Sequence, residues 1–478
     1  MIGSTFQKSG LYIFLIAAAC VYYVLNAPLL LGHYDLGWHL AAGDLIRDQG
    51  KIPFQDSWSF TSAGKQWFNL SWLWDVFASV LFQYTNFSGL MLFTVACGAA
   101  IVGYLASLSL SNGASPLAVC IAVLSACLLY PAFAAFPNIY LAASPNIATM
   151  AFSVIFYGEC LKRTRRVFWL PAIMLLWVNL HGGFLLGLLI IGVFGGVAAL
   201  KRDWACFKIY SLVAGGCLVA TLINPLGWHI YQGATATVGS FVQAEITEWW
   251  PYYRNITLPG SIPGILYILA FVALELRYRG FCPLEARLLS WLFLFLGLYQ
   301  FRYMAFFFLF STIPLALHLD RLLPKRSDDL AVKRALLVAG IAIACALPLA
   351  YMRVEPDLGL PQMLSERDVR YLEKHYPHAR LLNHWNYGGI FIFFTRGAIP
   401  LFVDGRASTA YPDALLRDYF KLGRSEVNEA DWDMVLGKYH IDTVLWVKAH
   451  EALRQFLVGK RGWKEAYAGT YASIYVKP

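Results

Sequence analysis

Long apolar runs separated by short basic clusters dominate this chain and leave it few folds to adopt. The runs are Leu11–Leu31, Leu90–Leu110, Pro116–Phe136, Ile147–Leu161, Phe168–Leu200, Phe207–Ile223, Ile262–Leu276, Leu288–Tyr299, Met304–Leu317 and Ala335–Tyr351. A helix needs about 20 apolar residues to cross a bilayer, within a range of about 17–25, and many of these runs approach or exceed that length. Between them stand Lys162, Arg163, Arg165 and Arg166; Lys201 and Arg202; Arg277 and Arg279; and Arg321, Lys325, Arg326, Lys333 and Arg334. Basic residues clustered beside spans mark the cytoplasmic loops. Hydrophobic residues make up 58% of the chain and charged ones 14%, with a mean hydropathy of +0.54, which excludes an ordinary soluble domain. The formal charge of +9 lies in these topogenic clusters, so it argues for a membrane partner and no nucleic acid. The first run lacks a small-residue cleavage site followed by polar sequence and reads as a retained anchor.

Counting crossings from the basic loops puts Asn179–Gly183, Ile223–Ser261, Tyr299–Tyr303 and everything after Tyr351 on the external side. Leu31–Trp74 joins them if the N-terminus, with Lys8, stays inside. One parity conflict remains, because four hydrophobic stretches, counting Phe68–Tyr84, fall where an odd number must cross. Either Phe68–Tyr84 lies along the interface or Pro116–Asn146 forms a re-entrant pair; the polar, Trp-rich start of the former favours the interface. The fold class expected is mainly α: residues 1–352 form a transmembrane helix bundle of about eleven spans, with an external loop at 32–68.

From about Arg353 the apolar runs shorten to strand length and charges become regular. Leu381–Asn383, Pro400–Val403, Thr443–Val447 and Ala472–Val476 read as strands, and Pro412–Leu422, Glu426–Tyr439 and Ala449–Gly459 carry helical apolar spacing. Residues 353–478 are therefore expected to be a soluble α/β layer domain outside the membrane. The nine Cys residues lie in hydrophobic spans or beside cytoplasmic loops, none in Leu31–Trp74 or after Tyr351. Neither a disulfide framework nor zinc-ligand spacing is present.

The segment between the first run and the second concentrates chemistry. Five of the chain's sixteen Trp fall between Trp38 and Trp74, interleaved with Asp35, Asp44, Asp48 and Asp56. Indole faces suit sugar or lipid head groups, and a carboxylate beside them suits the removal of a hydroxyl proton.

Several motifs, taken in order, resemble those of the polytopic GT-C glycosyltransferases, in particular bacterial members of the mannosyltransferase and aminoarabinose-transferase type. They begin with Asp35 just outside the first span and Trp38 with Gly43. Gly50-Lys51-Ile52-Pro53, Asp56, Ser59 and Thr61 follow, then Gly64 with Trp67. Later come Asn179-Leu180-His181-Gly182-Gly183, Asn224-Pro225-Leu226-Gly227-Trp228, Ile246-Thr247-Glu248-Trp249 and Phe301-Arg302-Tyr303. Asn386-Tyr387-Gly388-Gly389 and Phe402-Val403-Asp404-Gly405-Arg406 close the series. The resemblance implies a multi-pass protein of the bacterial inner membrane. It would transfer a sugar from a polyprenyl-phosphate donor to a lipid, glycan or protein acceptor on the external face, with inversion. By position, Asp35 inherits the role of base. Some relatives have two adjacent acidic residues there, whereas this chain has Tyr34-Asp35-Leu36, and a single carboxylate is a poor divalent-metal site. No metal ligand is assigned, and dependence on a divalent metal stays open.

Each candidate has a plainer alternative. Asp35 equally suits the N-cap of a helix over Leu36–Asp48. His39, one turn later, shares its face and serves either as a structural partner or in substrate binding. Asp44 and Asp56 read as turn or capping residues. His181 interrupts an apolar region, which fits a substrate cavity or a hydrogen-bonded helix hairpin. Glu248 is a second carboxylate, for acceptor binding or metal, and Trp249 beside it either binds substrate or belongs to an ordinary interface belt. Arg302, at the external end of a span, fits a clamp for the carrier phosphate or a structural ion pair. For Asp404-Gly405-Arg406 an internal salt bridge is the preferred reading. Two other classes compete: a non-catalytic GT-C-like subunit of a polysaccharide or glycoprotein export system, and a lipid-linked glycan transporter. Transporters favour midplane charges and internal repeats. Here the polar residues gather toward the external ends instead.

Overall fold

In the computed structural model of the chain, residues 34–133, 142–236, 238–256, 262–323, 364–423 and 426–478 are described. The expected spans Leu11–Leu31 and Ala335–Tyr351, and the boundary at 352/353, lie outside the described residues. In chain order the main helices are α1 (Leu36–Gln49), α2 (Trp72–Ser111), α3 (Pro116–Phe133), α4 (Asn146–Lys162), α5 (Leu170–Leu180), α6 (Leu185–Leu200), α7 (Trp204–Thr221), α8 (Ile262–Tyr278), α9 (Leu284–Tyr299) and α10 (Met304–Leu322). Then come α11 (Glu366–His375), β1 (Leu381–Asn383), α12 (Gly388–Thr395), α13 (Asp413–Phe420), α14 (Glu429–Lys438), β2 (Thr443–Val447), β3 (Lys464–Ala468) and β4 (Ala472–Val476).

The chain is mostly helical, with a small sheet near its C-terminus. Among the described residues four helical stretches are long and apolar enough to cross a bilayer: Trp72–Ser111, Gly182–Leu200, Trp204–Thr221 and Phe301–Leu322. The other expected spans lie outside the described residues or form shorter helices. The apolar run Phe168–Leu200 is two helices, because the chain leaves the helix at His181. Helices α4 and α8, at 17 residues each, and α9, at 16, are shorter than the four. Phe68–Tyr84 and Leu90–Leu110, read as separate stretches, belong to one helical course, α2, broken at Asn86 with φ 53° and ψ −153°.

The chain divides into two compact units. The first comprises the described parts of Leu90–Gly227 and Thr247–Glu355; the second comprises those of Leu31–Gly89, Trp228–Ile246 and Pro356–Pro478. The Trp-rich segment, read from the sequence as a loop of the membrane domain, thus folds with the C-terminal segment.

In the first unit α10 is the central helix. Every residue from Met304 to His318 is buried, as expected of a helix that is apolar on all sides. Its Phe306, Phe307, Phe308 and Phe310 meet Phe293, Tyr267, Phe271 and Tyr157 at ring-centroid distances of 4.7–5.8 Å. Three buried carboxylates sit among these helices. Glu285 pairs with Arg163 at 2.8 Å and Lys201 at 3.2 Å, and Glu159 with Lys162 at 3.1 Å and the Tyr104 hydroxyl at 2.6 Å. Glu275 pairs with Arg287 and with His318 at 2.6 Å. Some of the basic residues that carry the topology signal thus also neutralise buried acids, which would be costly alone.

The second unit is built on a four-stranded sheet of order β1-β2-β4-β3. β1 and β2 are parallel; β2–β4 and β4–β3 are antiparallel, with a bulge between Glu465 and Tyr467. Its core joins Leu381, Leu382, Val444, Leu445 and Ile474 to Trp38, Ala41 and Ala42 of α1 and to Trp58 and Trp67. Backbone bonds stitch the Trp-rich segment to residues 401–409: Leu401 N–H donates to Trp58 O at 3.0 Å, Phe60 N–H to Leu401 O at 3.2 Å, and Phe68 N–H to Thr409 O at 2.9 Å. Helix α1 stops at Gly50, whose φ of 62° suits a residue without a Cβ. At its other end Gly37 meets the backbone of Gly389, an approach only glycine permits.

Candidate functional site

Asp35 stands at the N-cap position of α1, yet its side chain makes no capping bond. Its carboxylate lies instead against Gly405, where a Cβ would overlap Oδ1 and sit 2.9 Å from Cγ. His39, one turn on, turns to a partner that sequence reasoning missed. Its Nδ1 lies 2.6 Å from Oδ1 of Asp75, whose Oδ2 accepts from Asn69 Nδ2 at 2.8 Å. His39 is 3% exposed and its ring centroid lies 3.6 Å from that of Trp38, the two planes tilted by 30°. The structural role weighed for His39 is therefore filled by Asp75, not by Asp35.

Beside this end of α1 a fully buried cation fastens the Trp-rich segment to the C-terminal one. Arg406 donates from Nε to Asp404 Oδ1 at 2.9 Å and from NH2 to Asp404 Oδ2 at 2.7 Å. NH2 also lies 2.6 Å from Asp56 Oδ1, and all three side chains have no solvent exposure. The guanidinium sits 4.8 Å from the rings of both Trp58 and Trp67. Burial disfavours its charge, but Asp404, the Tyr411 hydroxyl and Asp56 outweigh that and hold its pKa well above the ordinary arginine value. Asp56 also accepts from the backbone N–H groups of Trp58 and Ser59 at 3.3 and 3.1 Å. The turn reading of Asp56 and the internal salt bridge of Asp404-Gly405-Arg406 are both present; the tie between them had no sequence signal.

In the first unit three candidates from two distant stretches of the sequence come together. Glu248 and Trp249 occupy the single turn Thr247–Trp249, and Arg302 the turn Phe301–Tyr303 that leads into α10. The Phe301 N–H donates to Trp250 O at 2.9 Å, which holds the two turns in register. The Arg302 guanidinium stacks 3.9 Å over Trp249 and its NH1 lies 3.4 Å from Glu248 Oε1. Both charged side chains stay about a fifth exposed, at 19% and 20%.

His181 is held by a different set of neighbours. Helix α5 ends at Leu180, and the His181 backbone is extended before the turn Gly182–Phe184. Nδ1 accepts from the Gly183 N–H at 3.3 Å and lies 2.6 Å from Thr149 Oγ1, which itself accepts from Trp177 Nε1 at 2.9 Å. A backbone N–H can only donate, so Nδ1 is an acceptor and the neutral ring carries its proton on Nε2. Asn179 donates to Leu175 O at 2.8 Å and Ile223 O at 3.0 Å, tying α5 to the end of α7. The hydrogen-bonded hairpin is real, and it fixes the tautomer His181 presents. Thr149→Val keeps the shape but strands the indole N–H of Trp177 and leaves Nδ1 with the Gly183 N–H but without the hydroxyl. A loss of about 1–3 kcal/mol is expected, read as a lower thermal midpoint of the purified protein. An unchanged midpoint would mean that the network does not hold the turn.

Among the described residues no three His, Cys, Asp or Glu side chains gather in a set that could hold a metal ion.

No family model matches the chain, and no curated protein matches it. Solved structures do. The oligosaccharyltransferase AglB from Archaeoglobus fulgidus, in complex with an inhibitory peptide and a dolichol-phosphate, aligns over 96% of this chain and 73% of its own. The TM-score is 0.55 at 10% identity. The apo form of the Archaeoglobus fulgidus oligosaccharyltransferase aligns over 93% and 70%, with a TM-score of 0.57 at 12% identity. ArnT from Cupriavidus metallidurans, bound to undecaprenyl phosphate, aligns over 96% and 97%, with a TM-score of 0.51 at 14% identity. AglB and ArnT are GT-C glycosyltransferases, and this chain has their fold.

Proposed function

We propose that the chain is a membrane glycosyltransferase that moves a sugar from a polyprenyl-phosphate donor to an acceptor hydroxyl on the external face of the bacterial inner membrane. Its remaining apolar runs would complete a bundle of about eleven spans, and the C-terminal segment would lie outside. A fold alone does not fix a reaction. The observation that carries this reading is Arg302, stacked on Trp249 and paired with Glu248 while still partly exposed. A guanidinium so oriented has its fork pre-set for phosphate oxygens.

In the reaction the acceptor oxygen attacks the anomeric carbon, the bond from that carbon to the phosphate oxygen breaks, and the configuration inverts. Asp35 takes the acceptor's proton. Arg302 stabilises the charge that builds on the departing polyprenyl phosphate, and His181 adds its Nε2–H as a neutral donor. Glu248 and Trp249 hold the guanidinium. His39, engaged by Asp75, steadies the helix that begins next to Asp35. The acceptor is a lipid, glycan or protein bearing a hydroxyl, and nucleic acid has no place in the scheme.

The test is a transfer assay on the purified full chain. The donors are undecaprenyl-phosphate-linked mannose and aminoarabinose, with a bacterial envelope extract as acceptor. Arg302→Ala is expected to lower kcat by about 10²–10³-fold, the scale of losing one electrostatic stabiliser of developing charge. Arg302→Lys should recover part of it, since the charge returns without the fork. Equal rates in wild type and Arg302→Ala would remove the clamp from the mechanism.

A further inference from the structure

We infer that Gly405 is a positioning residue for Asp35: its missing side chain is the seat that fixes the carboxylate, an inference that rests on the role proposed for Asp35. The first observation is negative. Asp at an N-cap ordinarily spends its carboxylate on the helix's free N–H groups, and Asp35 does not. The second is steric. Any Cβ on Gly405 would overlap Asp35 Oδ1, and the three atoms nearest to it all belong to that carboxylate.

The seat is rigid because its neighbours are. Asp404 and Arg406, on either side of Gly405, are fully buried and ion-paired to each other, and Arg406 is also paired with Asp56. Gly388 packs on the same turn: a Cβ there would come within 2.5 Å of Asp404 Cβ and 2.7 Å of Val403 O. Gly389 in turn abuts the backbone oxygen of Tyr34, and Gly37 the backbone of Gly389. Glycines thus bring residues 34–37 directly onto residues 388–389, with Gly405 set against the one side chain in that stretch that carries a carboxylate. The three contacts differ in what a Cβ would displace. At Gly37 and Gly389 it would meet backbone, which cannot move without unfolding the contact. At Gly405 it meets the far end of a rotatable side chain, so Asp35 can swing aside while the fold stays. A geometric displacement of the base by about 1 Å costs about 10²-fold in rate.

The experiment compares wild type, Gly405→Ala, Asp35→Ala and the double variant Gly405→Ala/Asp35→Ala as full-length purified protein. It reads thermal midpoints, and kcat and KM with undecaprenyl-phosphate-linked sugar as donor. Gly405→Ala is expected to lower kcat about 10²-fold with KM for the donor unchanged. Where Gly405→Ala also lowers the midpoint, the double variant should recover it, because removing the carboxylate makes room for the new methyl group. Wild-type kcat in Gly405→Ala overturns the inference, and so does a midpoint loss that is the same with and without the Asp35 carboxylate. The two readings fail separately. An Asp35→Ala protein as active as wild type removes the base, while the midpoint cycle still measures the seat. An inactive Asp35→Ala beside a fully active Gly405→Ala removes only the seat.

Discussion

Asp35→Asn is expected to cut sugar transfer by about 10²–10⁴-fold, the usual contribution of a positioned general base. The amide has the size of the carboxylate, so it fits against Gly405, and no helix-capping bond is lost because none is made. What disappears is the ability to accept a proton. The thermal midpoint should therefore hold while kcat falls, and KM for the lipid donor should change little. Initial rates with the same undecaprenyl-phosphate donors measure the effect directly. Transfer at the wild-type rate would withdraw the base from the mechanism. If wild type and variant were both inactive with every donor tried, a GT-C-like subunit without catalysis would become the better reading.

Much of the architecture was legible because its causes are local. Apolar length marks the helices of the first unit, and β1, β2 and β4 run over the residues that strand-length apolar stretches predict. The misses have causes that lie far away in the chain. Residues 400–403 read as a strand, but the Phe402 and Val403 N–H groups donate to the side chain of Asn383, at 2.9 and 3.3 Å, and only Leu401 bridges to Ser59. Strand β3, over Lys464–Ala468, is only partly buried and carries no apolar run. The Ala449–Gly459 helix forms over Glu451–Arg454 and then widens into a π-turn over Gln455–Lys460.

The candidate site divides in the same way. Glu248, Trp249 and Arg302 were legible since a charge near a span's end needs a partner, and the structure supplies one. Asp75 as the partner of His39 was not, since it sits at the polar beginning of an apolar helix and signals nothing by itself. The seat at Gly405 was invisible for a deeper reason. A glycine's role is to be absent, and only its neighbour's coordinates show what the absence admits.

The largest stability effect is expected from Arg406→Leu. The leucine removes the only cation between Asp56 and Asp404 among the described residues, and both carboxylates have no solvent exposure. Two buried acids facing each other cannot both stay ionised, so at least one must take up a proton or drag water inward. Breaking a buried ion pair from one side costs about 3–5 kcal/mol, a large part of what holds a protein folded. The loss also strips the rings of Trp58 and Trp67 of the charge they face, so the Trp-rich segment should loosen first. Limited proteolysis between Trp58 and Trp67, followed with the thermal midpoint, reads both effects. Arg370 provides the contrast. It pairs with Glu366 at 3.1 Å and Glu373 at 2.6 Å, but its own side chain is 55% exposed, and such surface pairs contribute about 0–1 kcal/mol. Arg370→Ala should leave midpoint and proteolysis pattern nearly untouched. If Arg406→Leu behaves like Arg370→Ala, the buried cation does not fasten the segment, and the turn that seats Asp35 must draw its rigidity from the glycine contacts with residues 34–37 instead.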